Sequence, residues 1–398
     1  MKNNMNIEYI DGNPLNGVIY DFKFLRKEYT KLKCPSDVYN PTHLPFDACK
    51  WFVILSERAR GKTTNILLFG MLIFWHYNRG ICYLRSNEPM ITPKNSKDLF
   101  SNIISWGYVE KITDGEYNTI IYKSRRWYFA NVDENGEITK QMPDAFCIML
   151  SIDKNEEYKS VLETKNDFIV FDEFIERFYY PQQFVMLCDL IKTISRERLS
   201  PMIFCLANNI DKNSPYFSEW GITEEIDRID RGESEIVTTV FGTKLYIEML
   251  GELAPKANKK REAINRLFYG FSNPKLASIT GLSSWATLNY PHTPDNFKII
   301  QRNHYLTYND KLIAIEICQT ENDDNIFINC HPATKTYDDS IIYSIEFSTD
   351  RNARYMQGHT KIDKYIWEKY ERNLFTFSDN SVGALVDRFY EICKKGVK

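Results

Sequence analysis

The sequence has no long hydrophobic run. Its longest uninterrupted apolar stretch, Ile66 to Trp75, is ten residues, about half of what a membrane-spanning helix requires. No signal-type apolar stretch follows Met1-Lys2-Asn3-Asn4-Met5, so no leader and no membrane are expected, and a cytoplasmic location is. Neither sign of charge is in excess. The net value is -3 and the isoelectric point about 6.2, which excludes a histone-like polycation and leaves nucleic-acid contact to local basic patches. The nine cysteines include no C-x-x-C pair, so buried free thiols are expected rather than a disulfide framework. Cys330-His331 has no companion at metal-ligand spacing, and six scattered histidines define no Ser-His-Asp arrangement. Internal repeats and low-complexity tracts are lacking as well.

What is present is ample core material: 398 residues, 43% hydrophobic and 14% aromatic, enough for two domains. The focal stretch is Ser56-Glu57-Arg58-Ala59-Arg60-Gly61-Lys62-Thr63-Thr64, between the apolar Trp51-Phe52-Val53-Ile54-Leu55 and Ile66-Leu67-Leu68-Phe69. A strand, a tight loop closing on Gly-Lys-Thr and then a helix is the setting in which backbone N–H groups and a helix N-terminus surround a polyphosphate. Lys62 would neutralise the β- and γ-phosphates of ATP, and the Thr63 hydroxyl would sit on the accompanying Mg²⁺. Ser56 stands where the pattern usually has its first glycine, so the loop entry lacks that residue's positive-φ freedom. The competing reading is a surface turn that happens to contain Gly-Lys-Thr.

Along the chain, residues 1–37 read as a polar arm and 38–217 as an α/β domain. Its expected strands are 51–55, 80–85, 145–150, 168–171 and 202–207, with helical spacing at 98–106 and 182–195. Residues 119–123 and 126–130 read as a hairpin turning at Ser124-Arg125. The stretch 218–294, acidic from Glu219 to Glu235 and basic from Lys256 to Arg266, reads as a connector. Residues 295–398 read as a separate α+β domain. It has short strands at 304–308, 312–318, 326–330 and 341–345, and helices at 364–370 and 382–394.

Hydrolysis needs more than a phosphate loop. Asp167-Phe168-Ile169-Val170-Phe171-Asp172-Glu173 is a buried strand ending in two carboxylates; Asp172 would hold Mg²⁺ and Glu173 would polarise the attacking water. Arg196 and Arg198, after the next helix, are candidates for stabilising transition-state charge, or else complement that helix's C-terminal end. Asn208 ends the following strand and would sense the γ-phosphate or cap a turn. For DNA, Lys123, Arg125 and Arg126 interleave with Tyr122, Trp127 and Tyr128, with Arg85 at a strand end. A solvated hairpin tip has the same composition. In the last domain Glu316 is the one acid inside an apolar run, while Asp310, Asp323 and Asp324 fall in turns, so two-metal cleavage is not expected.

Six stretches carry a resemblance in this order: Tyr39-Asn40-Pro41, Arg58 four places before Lys62, Asp172-Glu173-Phe174-Ile175, Arg196-x-Arg198, Cys205-Leu206-x-Asn208 and Pro215-Tyr216-Phe217. They resemble the DNA-packaging ATPases of φ29-type tailed phages, relatives of the terminase large subunits. The resemblance implies an ASCE, RecA-like sheet and a pentameric ring at the portal of a procapsid in the host cytoplasm. That ring would be docked directly or through a structural RNA, and would pump double-stranded DNA inward. It implies that Ser56, Arg58, Ala59, Arg60, Gly61, Lys62, Thr63 and Thr64 hold ATP, with Arg196 as the finger reaching into a neighbouring subunit's site and Arg198 beside it. It also implies a C-terminal RNase H-like domain without catalytic acids that serves docking. Glu88 stands where the family has a basic residue, which moves the expected DNA grip to Lys94 or Lys97. Two rivals remain at this stage: a terminase with an active nuclease, and a protein that uses nucleotide only to switch assembly.

Overall fold

The computed structural model describes residues 9–10, 13–14, 18–56, 60–158, 165–175, 179, 182–196, 198–208, 214–251, 290–321, 325–345, 352–354 and 360–395. The chain divides into two compact units. One comprises Met1–Ile175, Gln183–Ile210 and Ile229–Ser284, the other Glu176–Gln182, Asp211–Arg228 and Trp285–Lys398.

The first unit is built on a ten-stranded sheet. In chain order its elements are α1 (Phe22–Lys31), β1 (Trp51–Leu55), α2 (Lys62–Tyr77), β2 (Gly80–Arg85), β3 (Thr119–Lys123), β4 (Arg126–Val132), β5 (Ile138–Gln141), β6 (Cys147–Ser151), β7 (Asn166–Asp172), α3 (Gln183–Ser195), β8 (Met202–Ala207), β9 (Ser234–Thr238) and β10 (Lys244–Met249). Strand order is β9-β10-β1-β8-β7-β2-β6-β4-β3, with β5 paired to β4. The run from β10 through β6 is parallel, whereas β9, β3, β4 and β5 add antiparallel edges. Strands β7 and β8 are buried at every position, as a sheet covered on both faces requires. The α/β expectation for the region therefore holds.

The connection from β1 to β2 steps over β8 and β7. This opens a crevice at the carboxyl ends of the strands, where ligands of such sheets bind. Helix α2 makes that connection. It is apolar all round, so it is buried all round, with Ile66 to Ile73 nearly inaccessible. Gly70 allows the close approach: a Cβ there would lie 2.8 Å from Phe168 and 2.9 Å from Ile81. The helix stops at Asn78, whose φ of 54° closes the C-terminus in the left-handed region. The hairpin expected at Ser124-Arg125 forms, both turn residues having positive φ of 51° and 63°.

Two boundaries differ from the sequence reading. Residues 18–37 are no loose arm. Asp21 caps α1 by accepting from Phe24 N at 2.9 Å, and Phe22, Leu25 and Tyr29 are buried. Phe22 stacks on Phe46, which stacks on Phe69 of α2. The polar residues between these apolar positions disguised a helix with one buried stripe. The stretch 218–294 is not one connector either. Residues 234–249 form the hairpin that adds β9 and β10 to the first sheet beside β1, while Pro215–Trp220 and Thr223–Arg228 cluster with the second unit. The basic part, Lys256 to Arg266, lies outside the described residues.

The second unit holds α4 (Pro215–Trp220), α5 (Thr223–Arg228), β11 (Phe297–Tyr308), β12 (Lys311–Thr320), β13 (Ile326–Pro332), β14 (Ile341–Ser344), β15 (Ala353–Arg354), α6 (Lys361–Glu371), β16 (Phe375–Phe377) and α7 (Asn380–Lys395). Its six-stranded sheet runs β15-β14-β11-β12-β13-β16. Strands β11, β12 and β13 form an antiparallel meander, and β14, β15 and β16 pair in parallel at its sides. Thr360 and Asp363 close a capping box at the start of α6. All nine cysteines are free thiols. No helix among the described residues is long and apolar enough to cross a membrane.

The end of the first sheet away from the crevice is pinned by Asp167. It is fully buried and accepts from Tyr20 Oη at 2.9 Å, Ser200 Oγ at 2.5 Å and Arg198 Nε at 2.9 Å. Removing one member of such a buried pair leaves an uncompensated charge. Asp167→Ala is therefore expected to lower the unfolding free energy by about 3–5 kcal/mol, read by urea denaturation. An unchanged midpoint would contradict this role.

Candidate nucleotide site

Four strand ends line the crevice: Ser56 after β1, Asn208 after β8, Asp172-Glu173 closing β7, and Arg85 closing β2. Their alignment follows from the parallel register, in which Leu206 lies opposite both Ile54 and Asp172. The loop runs from buried Ser56 to Gly61, whose φ of 70° places it in the left-handed region as the residue ahead of α2. A side chain at Gly61 would also crowd Val38 and Asn65, each 3.0 Å from an added Cβ. The Arg60 side chain donates to Gly251 O at 2.6 Å. Thr64 follows Thr63 in the first turn of α2 and is half-buried. Arg58 and Ala59 lie outside the described residues.

Lys62 opens α2 and is 4% exposed. Its Nζ donates to Ser56 Oγ at 2.5 Å and to Asn208 Oδ1 at 2.9 Å. Both partners are neutral. Burial lowers its pKa to about 8, opposed by the nearby Asp172 carboxylate. A buried ammonium whose described hydrogen bonds go to neutral oxygens, at the N-terminus of a helix, gains from an anion.

Asp172 is buried, and that burial raises its pKa. It accepts from Thr63 Oγ1 at 3.0 and 3.1 Å, from Tyr83 Oη at 2.7 Å, and from the Glu173 backbone N–H at 3.1 Å. A hydroxyl and a carboxylate in contact are the hard oxygen ligands that Mg²⁺ takes. Glu173 adopts a φ of 54°, uncommon for a residue with a side chain. Its carboxylate accepts from Arg85 Nη2 at 2.5 Å and, at 3.5 Å, from Asn208 Nδ2. Asn208 thus stands between Lys62 and Glu173 instead of capping a turn in isolation.

Several expected roles change. Arg85, read as a DNA contact, points into the site: its side chain is 16% exposed and paired with Glu173. Arg198, read beside the arginine finger, is buried on Asp167. Asp167 lies five residues before Asp172 along a strand, about 16 Å away at the usual rise. Arg125 is ion-paired with Glu88, whose carboxylate also accepts from Ser151 Oγ at 3.0 Å. Glu88, an acid where the sequence reading looked for a basic residue, therefore engages part of the hairpin patch. Lys97 and Lys123 are exposed and Arg126 is half-buried, while the side chain of Lys94 is outside the described residues. Arg196 is exposed at the C-terminal end of α3, with φ 43°. Tyr83 was missed by the sequence reading. A tyrosine inside the buried strand Ile81-Cys82-Tyr83-Leu84 was the available signal, because a buried phenol needs a polar partner.

The fold is α/β, with a mostly parallel sheet of the kind an ATPase domain fits. No protein-family model matches the sequence. The chain is similar to the DNA packaging proteins of Bacillus phages PZA and phi29, 26% identical over 195 residues, which is 48% of this chain and 52% of theirs. It thus spans about half the length of the curated relatives it matches. Its fold matches that of the Phi-28 gp11 DNA packaging motor, with a TM-score of 0.57 at 15% identity, covering 90% of this chain and 99% of that one. The bacteriophage Phi-29 viral genome packaging motor assembly gives a TM-score of 0.52 at 14% identity, covering 90% and 100%.

The Lys62 shift carries a pH dependence with a definite sign. Below pH about 8 the ammonium is charged with or without ligand. Above it, the free protein loses the proton that a bound polyphosphate restores. Binding of an ATP analogue should then take up a proton and weaken by up to about tenfold per pH unit above that value. Calorimetry in buffers of different ionisation enthalpy checks this, and Lys62→Arg should bind without that proton uptake.

Proposed function

We propose that this chain is the ATP-hydrolysing subunit of a viral DNA-packaging motor. The observation that carries the reading is the meeting of Thr63 Oγ1 with Asp172, 109 residues apart, beside Lys62 and Glu173. A magnesium ion accompanying ATP would supply positive charge against the phosphates. Thr63 and Asp172 would hold it, and Lys62 would leave Ser56 and Asn208 for the phosphates. Glu173 would orient and deprotonate the attacking water once its carboxylate is free of Arg85. Asn208, touching both Lys62 and Glu173, is suited to report phosphate occupancy to the base.

Arg196 is proposed as the finger acting in trans. Helix α3 leaves the crevice end of β7 and returns toward the start of β8, and its 13 residues span about 20 Å. Arg196 therefore sits far from the site of its own subunit, and only a neighbouring copy in a ring would bring it to a phosphate. Self-association into a homopentamer, double-stranded DNA as cargo, and docking at a procapsid portal, with or without an RNA, are proposed from the likeness to the phage packaging proteins. The working location would be the portal vertex in the host cytoplasm.

The second unit is proposed as an RNase H-like docking domain without nuclease activity. A meander flanked by parallel strands supports the first part. For the second, Glu316 already accepts from Asn329 at 3.4 Å and lies 3.4 Å from His331, which lowers its pKa against the opposing effect of burial.

In the assembled ring, Glu173→Gln is expected to lose about 10²–10⁴-fold in turnover while still binding ATP. Arg196→Ala should lose about 10³-fold or more with binding intact. Steady-state ATPase assays decide, and normal turnover in Arg196→Ala rings would remove the finger role. Plasmid incubated with the protein and Mn²⁺ should stay supercoiled; linear products would favour the nuclease rival.

A further inference from the structure

One side chain outside the phosphate-loop pattern bears directly on the metal-side carboxylate. Tyr83 is 4% exposed, and its hydroxyl donates to Asp172 Oδ2 at 2.7 Å. That bond is shorter than the 3.0 and 3.1 Å contacts from Thr63. The Arg85 guanidinium approaches the same hydroxyl and also holds Glu173. Tyr83 thus binds Asp172 while the neighbouring Arg85 binds Glu173, so both carboxylates at the end of β7 are held by side chains of β2.

A carboxylate rotates freely about its Cβ–Cγ bond unless both oxygens are engaged. Here the Glu173 N–H engages Oδ1, Thr63 bridges both oxygens, and Tyr83 engages Oδ2. Once the Thr63 oxygen turns its lone pairs to a cation, Tyr83 and a backbone N–H are what hold the plane of the carboxylate. We infer that Tyr83 is a positioning residue for the divalent cation that accompanies nucleotide, acting by fixing the orientation of Asp172. The inference rests on the nucleotide reading above. Outer-sphere partners of this kind set metal affinity through the ligand they orient.

The ring of Tyr83 lines a cavity of about 240 Å³ with Arg85, Met90, Ser96, Leu99 and Met149, so Tyr83→Phe removes the hydroxyl without crowding the wall. The test is binding of a fluorescent non-hydrolysable ATP analogue to the full chain, first in EDTA and then along a Mg²⁺ titration. Tyr83→Phe should keep the wild-type affinity in EDTA and raise the Mg²⁺ midpoint about tenfold. Leu99→Ala, which alters the same cavity wall but not the hydroxyl, should keep the wild-type midpoint. Equal midpoints for wild type and Tyr83→Phe would overturn the inference, as would an equal shift in Leu99→Ala. Loss of affinity in EDTA would assign Tyr83 to the fold and overturn it too. No Mg²⁺-dependent binding by the wild-type chain would instead remove the nucleotide reading itself.

Discussion

A carboxylate enclosed at the end of a buried strand is the constraint on which the site depends. Asp172 has given up water, so every lone pair left without a donor would be destabilising by about 1–3 kcal/mol. Its donors come from three places in the chain: the first turn of α2, the middle of β2 and the backbone at Glu173. They coincide only if β1, β2 and β7 are in register and α2 lies flat on the sheet. The close approach at Gly70 and the full burial of the strands are therefore part of the chemistry.

Strand β7 carries a buried acid at each end, and the two have opposite fates. Asp167 is ringed by Tyr20, Arg79, Arg198 and Ser200. It has charged partners in contact and joins the N-terminal segment to the sheet. Asp172 has hydroxyl and backbone donors and no cation in direct contact among its described hydrogen bonds. One acid is neutralised inside the fold, while the other is left with charge to offer. Lys62, next to Thr63 at the start of α2, is a cation whose described hydrogen bonds go to neutral oxygens. The crevice so combines a buried ammonium and a buried carboxylate that feel each other's charge without a direct ion pair among the described contacts, which suits a polyphosphate with its metal better than either alone.

The contacts after β2 explain why charge counting along the sequence misplaced the basic groups. Arg85 and Arg125 both looked available for DNA, yet each is matched by an acid remote in sequence, Glu173 and Glu88. Glu88 is also tied through its backbone N–H to Asp153. A run of arginines says how many cations a segment carries, and folding decides how many stay unmatched. The same holds in the second unit, where Glu316, the single acid in an apolar strand, meets Asn329 and His331 across the sheet.

The local pattern of apolar runs and turn residues was sufficient for the parallel strands, for the buried helix α2, for the Ser124-Arg125 turn and for the loop bearing Lys62. Each depends on neighbours within a few positions, so it is written in consecutive residues. The pairing of Thr63 with Asp172 was legible as well, since strand ends in a parallel sheet share one edge. The order of the strands was not legible, nor was the recruitment of residues 234–249 to the edge beside β1, the helix hidden in the N-terminal stretch, or which of Arg85, Arg196 and Arg198 faces which acid. These are decided by contacts between segments tens to hundreds of residues apart, where burial removes water and leaves each charge to the nearest partner the packing supplies.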